Sequence, residues 1–162
     1  MPSYAHGVGA ERIHVLTSLS SMTSPSLAEI NAGVDLSGFL LKDGFSRPRS
    51  GNEVNVSVVT NRENLSVAGS INNGPITMKF RLDDTTDTAW NTLVEGSAKY
   101  VVFLPTGGSG TGGAIGVGDV VEVHHGDILE RAKEDIAENA RAAFSARLST
   151  RTPPVLAAVV VA

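Results

Sequence analysis

Residues Asp83 to Pro105, DDTTDTAWNTLVEGSAKYVVFLP, constrain the fold more than any other stretch, because they set a short amphipathic helix directly before a strongly apolar strand. Asp83, Asp84, Thr85 and Thr86 offer side-chain acceptors and negative charge where a helix start exposes unpaired amides. Ala89, Trp90, Leu93 and Val94 then recur at helical spacing, and Gly96 is expected to stop the helix. From Ala98 the pattern becomes AKYVVFL, rich in β-branched and aromatic residues, and Pro105 with a glycine run ends it. Trp90, Leu93 and Val94 are therefore expected to clamp the helix onto a sheet, and the rest of the chain reads as sheet built round that pair.

Upstream, Arg12 to Ser20 places Ile13, Val15 and Leu19 inward as a first strand. Ser24 before Pro25, or Ser26 with Glu29 three residues on, can cap one or two helical turns through Ile30, with Asn31-Ala32-Gly33 supplying a left-handed end. Asp35 to Leu41 reads as a short strand. Lys42 to Asn52, KDGFSRPRSGN, carries two glycines, one proline and three positive charges around an exposed-looking Phe45, so it reads as a long loop and a candidate contact arm. Glu53 to Ser70 is the clearest hairpin: Val54, Val56 and Val58 alternate with Glu53, Asn55 and Ser57, Thr60 to Asn64 turns, and Leu65 and Val67 alternate with Ser66 and Ala68. Ile71 to Pro75 reads as a turn and Ile76 to Leu82 as the strand leading into the helix.

Downstream of Pro105 a glycine tract precedes Asp119 to His125, a strand with Val121 and Val123 facing one way and Val120, Glu122 and His124 the other. Residues 129–138 read as a charged, solvated loop with a helical turn and 140–151 as a strand; a continuous helix from Leu129 to Leu148 is the alternative. Pro153-Pro154 is expected to break the chain before a last strand, Val155 to Val161. There is no internal repeat, and residues 1–162 read as one domain with a loose arm at 1–11.

No catalytic constellation emerges. Gly108, Gly110 and Gly113 fit G-x-G-x-x-G after a strand, yet no helix start or Lys-Ser/Thr pair follows, so a nucleotide site lacks its context. His124 and His125 are adjacent, pointing to opposite faces of a strand, and His6 and His14 are remote; none suggests a metal, and they read as surface or edge histidines. No serine lies in a nucleophile elbow. Neither catalytic residues nor a cofactor nor a metal is expected.

Composition limits partners. With 13 Lys and Arg against 17 Asp and Glu, the net charge of -4 disfavours tight binding to a phosphate backbone. There is no cysteine. The start MPSYAHGVGAERIHV lacks signal-peptide character, and the longest apolar run, PVLAAVVVA, is about half the ~20 residues a membrane span needs, so a soluble, cytoplasmically made chain without membrane insertion is expected.

The order of parts resembles the tail tube protein (major tail protein) of long-tailed bacteriophages, particularly those of actinobacteria. The resemblance runs from about Ile13 onward and is carried by AEINAGVDL, by the spacing from DTAWNTLVEG to YVVF, and by the PPVLAAVVVA finish. The glycine tract at 107–118 and the ILERAKEDIAENA insertion depart from it. What the resemblance implies is a mainly β protein: a β-sandwich or barrel with one flanking α-helix, a long hairpin, and extended loop and terminal arms. It further implies hexameric rings stacked into a hollow virion tail tube, assembled in the host cytoplasm, through which DNA passes without being held. Partners would be further copies of the chain, a tape-measure protein and terminator or tip proteins. The lumen-facing residues would be Glu53, Asn55, Ser57, Ser66 and Ser70. Contacts between subunits would fall on Phe45, Arg47 and Arg49 in an inter-ring loop at 42–52 and on Val155, Leu156 and Val159 in a C-terminal strand or arm at 155–162. Rival readings are the tube of a contractile secretion apparatus, a capsid decoration or head-tail joining protein, a monomeric binding module, and a nucleotide-using enzyme built on the glycine loop.

Overall fold

The computed structural model describes residues 10–58, 65–83, 85–135 and 142–162. In chain order the strands are β1 (Arg12–Leu16), β2 (Val34–Asp35), β3 (Leu40–Ser46), β4 (Arg49–Asn55), β5 (Ser66–Asn73), β6 (Ile76–Arg81), β7 (Ala98–Leu104), β8 (Val120–Lys133), β9 (Ala143–Leu148) and β10 (Thr152–Val159). Helix α1 (Leu27–Ala32) lies between β1 and β2, and α2 (Thr88–Thr92) between β6 and β7. The protein is mainly β, as expected. Eight strands form one sheet in the order β2-β1-β7-β8-β9-β6-β3 with β10 also on β8, while β4 and β5 stand apart as a two-stranded hairpin.

Strand β8 joins the two halves of the sheet. Its first part pairs with β7 on one edge (Phe103 opposite Glu122, Ala98 opposite Asp127) and with β10 on the other, whereas Ile128 to Lys133 pair with β9. The crossover falls at Gly126, where a Cβ would lie 1.5 Å from the Ser149 carbonyl oxygen. Only a residue without a side chain lets the two backbones approach this closely. Ser149 and Arg151 keep the ladder going through the bend by donating to the Asp127 and His125 carbonyls at 2.9 and 3.0 Å.

Two apolar clusters follow from this bend. Ile13, Val15, Val101 and Phe103 of one half meet Met78, Phe80, Phe144 and Leu148 of the other, giving the sandwich core. On the opposite face of β7, Val102 and Leu104 pack with Val121, Val123, Ala158 and Ile30 of α1. Because both faces of β7 are covered, its sequence is a continuous apolar run rather than an alternation.

Helix α1 starts as expected. Ser26 and Glu29 form a reciprocal capping box, with the Glu29 amide donating to the Ser26 hydroxyl and the Ser26 amide to the Glu29 carboxylate. Hydrogen bonds from Ser20 and then Ser26 hold the Glu29 carboxyl down to about 2. Its end differs from expectation: Gly33 has φ −74°, not a left-handed angle, and glycine is needed because a Cβ would sit 2.8 Å from Leu16 Cγ.

Helix α2 is shorter than its pattern predicts. Asp83 accepts from Thr85 and Thr86 instead of capping it, and Asp87 occupies the cap position at φ 46° without a side-chain bond; Asp84 lies outside the described residues. Leu93 is fully buried, and Trp90 meets the Phe144 ring edge-on at 5.2 Å with the Arg131 guanidinium over its ring. Val94, expected in the clamp, is 46% exposed, because the helix ends at Thr92 and the following turn carries Val94 away from the core. Gly96 takes its positive φ of 75° in that turn rather than in the helix.

Further expectations are corrected by long-range pairing. Lys42 to Asn52 is not a loop: β6 supplies a ladder for β3 and β5 one for β4, leaving only Arg47-Pro48 between them. The strand expected at 35–41 is split by a turn in which the Asp35 carboxylate accepts from the Ser37 amide. Ile71 to Asn73 belong to β5 rather than a turn. Residues 129–133 are strand, which excludes a continuous helix to Leu148, and their charges pair across it, Arg147 donating to Glu130 at 2.8 Å. Pro153-Pro154 lie inside β10 at a register shift, which accommodates residues that cannot donate to the ladder. The hairpin turn at Thr60 to Asn64 and most of the expected arm at 1–11 fall outside the described residues.

Two substitutions test this account. Gly126→Ala forces a Cβ into backbone, with an expected loss of about 3 kcal/mol or more and a Tm lower by roughly 6–12 °C by calorimetry. Trp90→Ala is expected to cost about 3 kcal/mol while Val94→Ala stays within about 0.5; equal losses in urea titration would refute the clamp assignment.

Candidate assembly interface

The hairpin is the most exposed element. Every residue of β4 is exposed, and β4 and β5 make their extensive contacts only with each other. Val54 stands opposite Val67 and the Val56 amide donates to the Leu65 carbonyl, so these four form one apolar face continuing to Val58. All five are 44–57% exposed, so the hairpin presents a contiguous apolar strip to solvent.

The other face carries Glu53, Asn55 and Ser66, with Asn55 paired to Ser66 and Glu53 to Ala68. Ser57 closes the end of the pair, its hydroxyl accepting from the Leu65 amide at 2.6 Å. A bulge between Gly51 and Glu53 changes the expected grouping. Asn52 donates its side-chain amide to the Ser70 hydroxyl, so Ser70 lies on the Asn52–Val54 side, not with Ser66. Ile71, opposite Gly51, joins the polar face at its base.

Where the hairpin leaves the sandwich, Arg47 makes two contacts with Glu122 of β8, at 2.6 and 2.9 Å. Its guanidinium lies over Phe45 and Phe103, whose rings stack 4.2 Å apart. Phe45 is thus half-buried against the core, correcting its exposed appearance in sequence. His124, 3% exposed, donates Nε2–H to Glu122 at 3.3 Å. Burial pushes the Glu122 carboxyl up, but the His124 hydrogen bond and the Arg47 charge outweigh it and the net displacement is downward. A cleft of about 300 Å³ opens beside this cluster, lined by Pro48, Arg49, Ile76, Pro154 and Leu156 among others. Arg49 itself is exposed.

Strand β10 is tied down rather than loose. Thr23 to Leu27 run along its outer edge, with Val159 and Val161 donating to Thr23 and Pro25 at 3.3 and 3.0 Å and Leu27 donating back to Val161 at 2.8 Å. Val155 packs into the second cluster, while Leu156 and Val159 remain exposed, Val159 opposite an equally exposed Val120.

Sequence reasoning missed Glu122 and His124. The signal was their i, i+2 spacing beside valines of opposite facing, but only the arrival of β3 turns that face into an interior. His14 is also buried, donating Nδ1–H to the Ile30 carbonyl at 3.2 Å, so two of the expected surface histidines are interior.

The glycine tract offers no room for a phosphate. Asp119 accepts from the Ser109 and Gly116 amides at 2.9 and 2.8 Å, and the Gly108 and Gly110 amides donate to Gly113 and Ala114. A carboxylate of the chain itself already fills the ring of donors that an anion would use. Among the described residues no group of three or more His, Asp or Glu side chains could hold a metal, and no helix is long and apolar enough to cross a membrane.

A β-sandwich whose most conspicuous surface is a projecting, half-apolar hairpin, with its candidate anion loop self-filled, has the character of a structural protein. Comparison with known families gives the assignment: the chain belongs to the phage tail tube protein family, whose model matches residues 1–162. That family is structural, and its place is the virion tail. The fold is similar to a chain of the six-fold symmetrised cryo-EM structure of the anti-feeding prophage (AFP) baseplate, with a TM-score of 0.55 and 13% identity over 96% of both chains. No curated protein matches.

For Asp119, burial raises the carboxyl but the Ser109 and Gly116 amides more than compensate, so its folded value lies below the ordinary 3.8. The loop it closes is therefore stabilised fully above 3.8 and loses that support as pH falls through the lower folded value. Exchange protection of the Ser109 and Gly116 amides is expected to hold from pH 7 to 4 and to drop only below, and Asp119→Ala should abolish it at every pH.

Proposed function

We propose that copies of this chain close into hexameric rings that stack into a hollow tail tube, through which DNA is delivered. The observation that carries this reading is the uncovered face of Val54, Val56, Val58, Leu65 and Val67, a contiguous apolar strip whose burial against a neighbouring copy favours association. The six-fold symmetry of the anti-feeding prophage assembly supports the ring number.

In the tube, Glu53, Asn55, Ser57 and Ser66 face the bore. Arg49 is the sole cation among the described residues of the hairpin and lies at its root, which, with the overall charge of -4, favours a wall that lets a polyanion slide. Ring-to-ring contacts use Phe45, Arg47 and Arg49 at the root and Val155, Leu156 and Val159 on β10. A tape-measure protein sets tube length, terminator or tip proteins close the ends, and assembly takes place in the host cytoplasm.

Electron microscopy of the concentrated protein tests this. Wild type is expected to form long hollow tubes, and Val54→Glu with Val67→Glu to form none while keeping its Tm, since neither side chain belongs to the core. Tubes from the double variant, or a wild type that stays monomeric by mass photometry at micromolar concentration, would refute the proposal.

A further inference from the structure

The hairpin is a lever with a small base. Four features hold its root: the chain crossings at Arg47-Pro48 and Gly74-Pro75, the Gly74 amide donating to the Pro48 carbonyl at 3.0 Å, the Thr150 hydroxyl donating to the Gly74 carbonyl at 3.2 Å, and the paired contact of Arg47 with Glu122. Pro48 and Pro75 each fix one backbone angle, and a Cβ on Gly74 would lie 2.9 Å from the Pro48 ring, so the crossings are already stiff against twist. Among these features, the arginine contact is the one that ties the root to β8, near the start of that strand. Seven residues of β4 span about 24 Å, so a swing of about 10° at the root moves the far end by about 4 Å, well beyond what a packed contact tolerates.

We propose that Arg47 and Glu122 are positioning residues: their ion pair, seated on the Phe45–Phe103 stack and braced by His124, sets the direction in which the hairpin leaves the sandwich before assembly. The geometry suits rigidity rather than mere attraction. A guanidinium held at two nitrogens by one carboxylate and pressed on aromatic rings has few other orientations. Glu122 is itself held by the buried His124, so the carboxylate does not follow the arginine if the root moves. Adding this to the reading of the chain as a tube subunit, the pair lowers the ordering cost of ring closure, because the hairpin arrives already aimed.

The chain has no cysteine, so two introduced ones report the lever angle cleanly. Spin labels at Val58→Cys and Val94→Cys, both exposed in the single chain, give a distance distribution by pulsed electron resonance at concentrations below assembly. The parent pair is expected to give one narrow distance, and Glu122→Gln and Arg47→Ala each a broadened one. Their combination should be no broader than either alone, and Arg147→Ala, which breaks a cross-strand pair elsewhere, should leave the distribution narrow. In the otherwise native chain, the same two substitutions are expected to raise the protein concentration needed for tube growth about tenfold, equivalent to about 1.4 kcal/mol. If Glu122→Gln fails to fold, Arg47→Ala decides, since that side chain is 37% exposed. A distribution as narrow in Arg47→Ala as in the parent overturns the positioning role even where tubes form normally. A wild type that forms no tubes overturns the tube reading and leaves the distance result standing.

Discussion

The whole architecture depends on the approach of two backbones at Gly126 and Ser149. A strand of 14 residues can serve both halves of a sandwich only if it turns from one to the other, and the turn needs the Ser149 carbonyl where a side chain would otherwise stand. From that bend come the opposed faces of the sandwich core, the second cluster under α1, and the use of one edge of β8 by β9 and β10 in succession. The bend also fixes where β3 and β6 lie relative to β8. Phe45 can therefore reach Phe103, and Arg47 can reach Glu122.

Polar groups in this protein serve shape. Glu29 closes α1, Asp119 closes the glycine tract, Asp35 closes the turn after β2, and Glu122 ties the hairpin root to β8. In each case a carboxylate accepts from backbone amides or pairs with a cation of the same chain, and so holds a cap, a turn or a strand crossing in place. This agrees with membership of a structural family. The exposed large apolar side chains are most concentrated on the hairpin, with others at Val120 and Leu129 of β8 and Leu156 and Val159 of β10.

Much of this was legible in the residues. The AKYVVFL strand, the Ser26–Glu29 box, the valine hairpin and the paired face of Trp90 and Leu93 are each written in a window of a few residues, since capping and alternation are local rules. The two missed strands share one cause. Lys42 to Asn52, rich in charge and glycine, and the charged residues 129–133 look irregular, yet both become strands because β6, β5 and β9 offer them ladders. Ser70 changed faces through a single bulge, which no periodicity predicts.

The sequence by itself determined a mainly β chain without an evident active site, the hairpin's apolar and polar edges, and the family resemblance, because these follow from side-chain pattern and local backbone preference. Tertiary structure decided which faces became interior. Glu122, His124 and Phe45 alternate or stand alone as surface residues do, and they are buried or half-buried where Phe45 and Arg47 pack against Phe103, His124 and Glu122. Burial is a property of what a residue meets across the chain, and a period of two along one strand cannot record it.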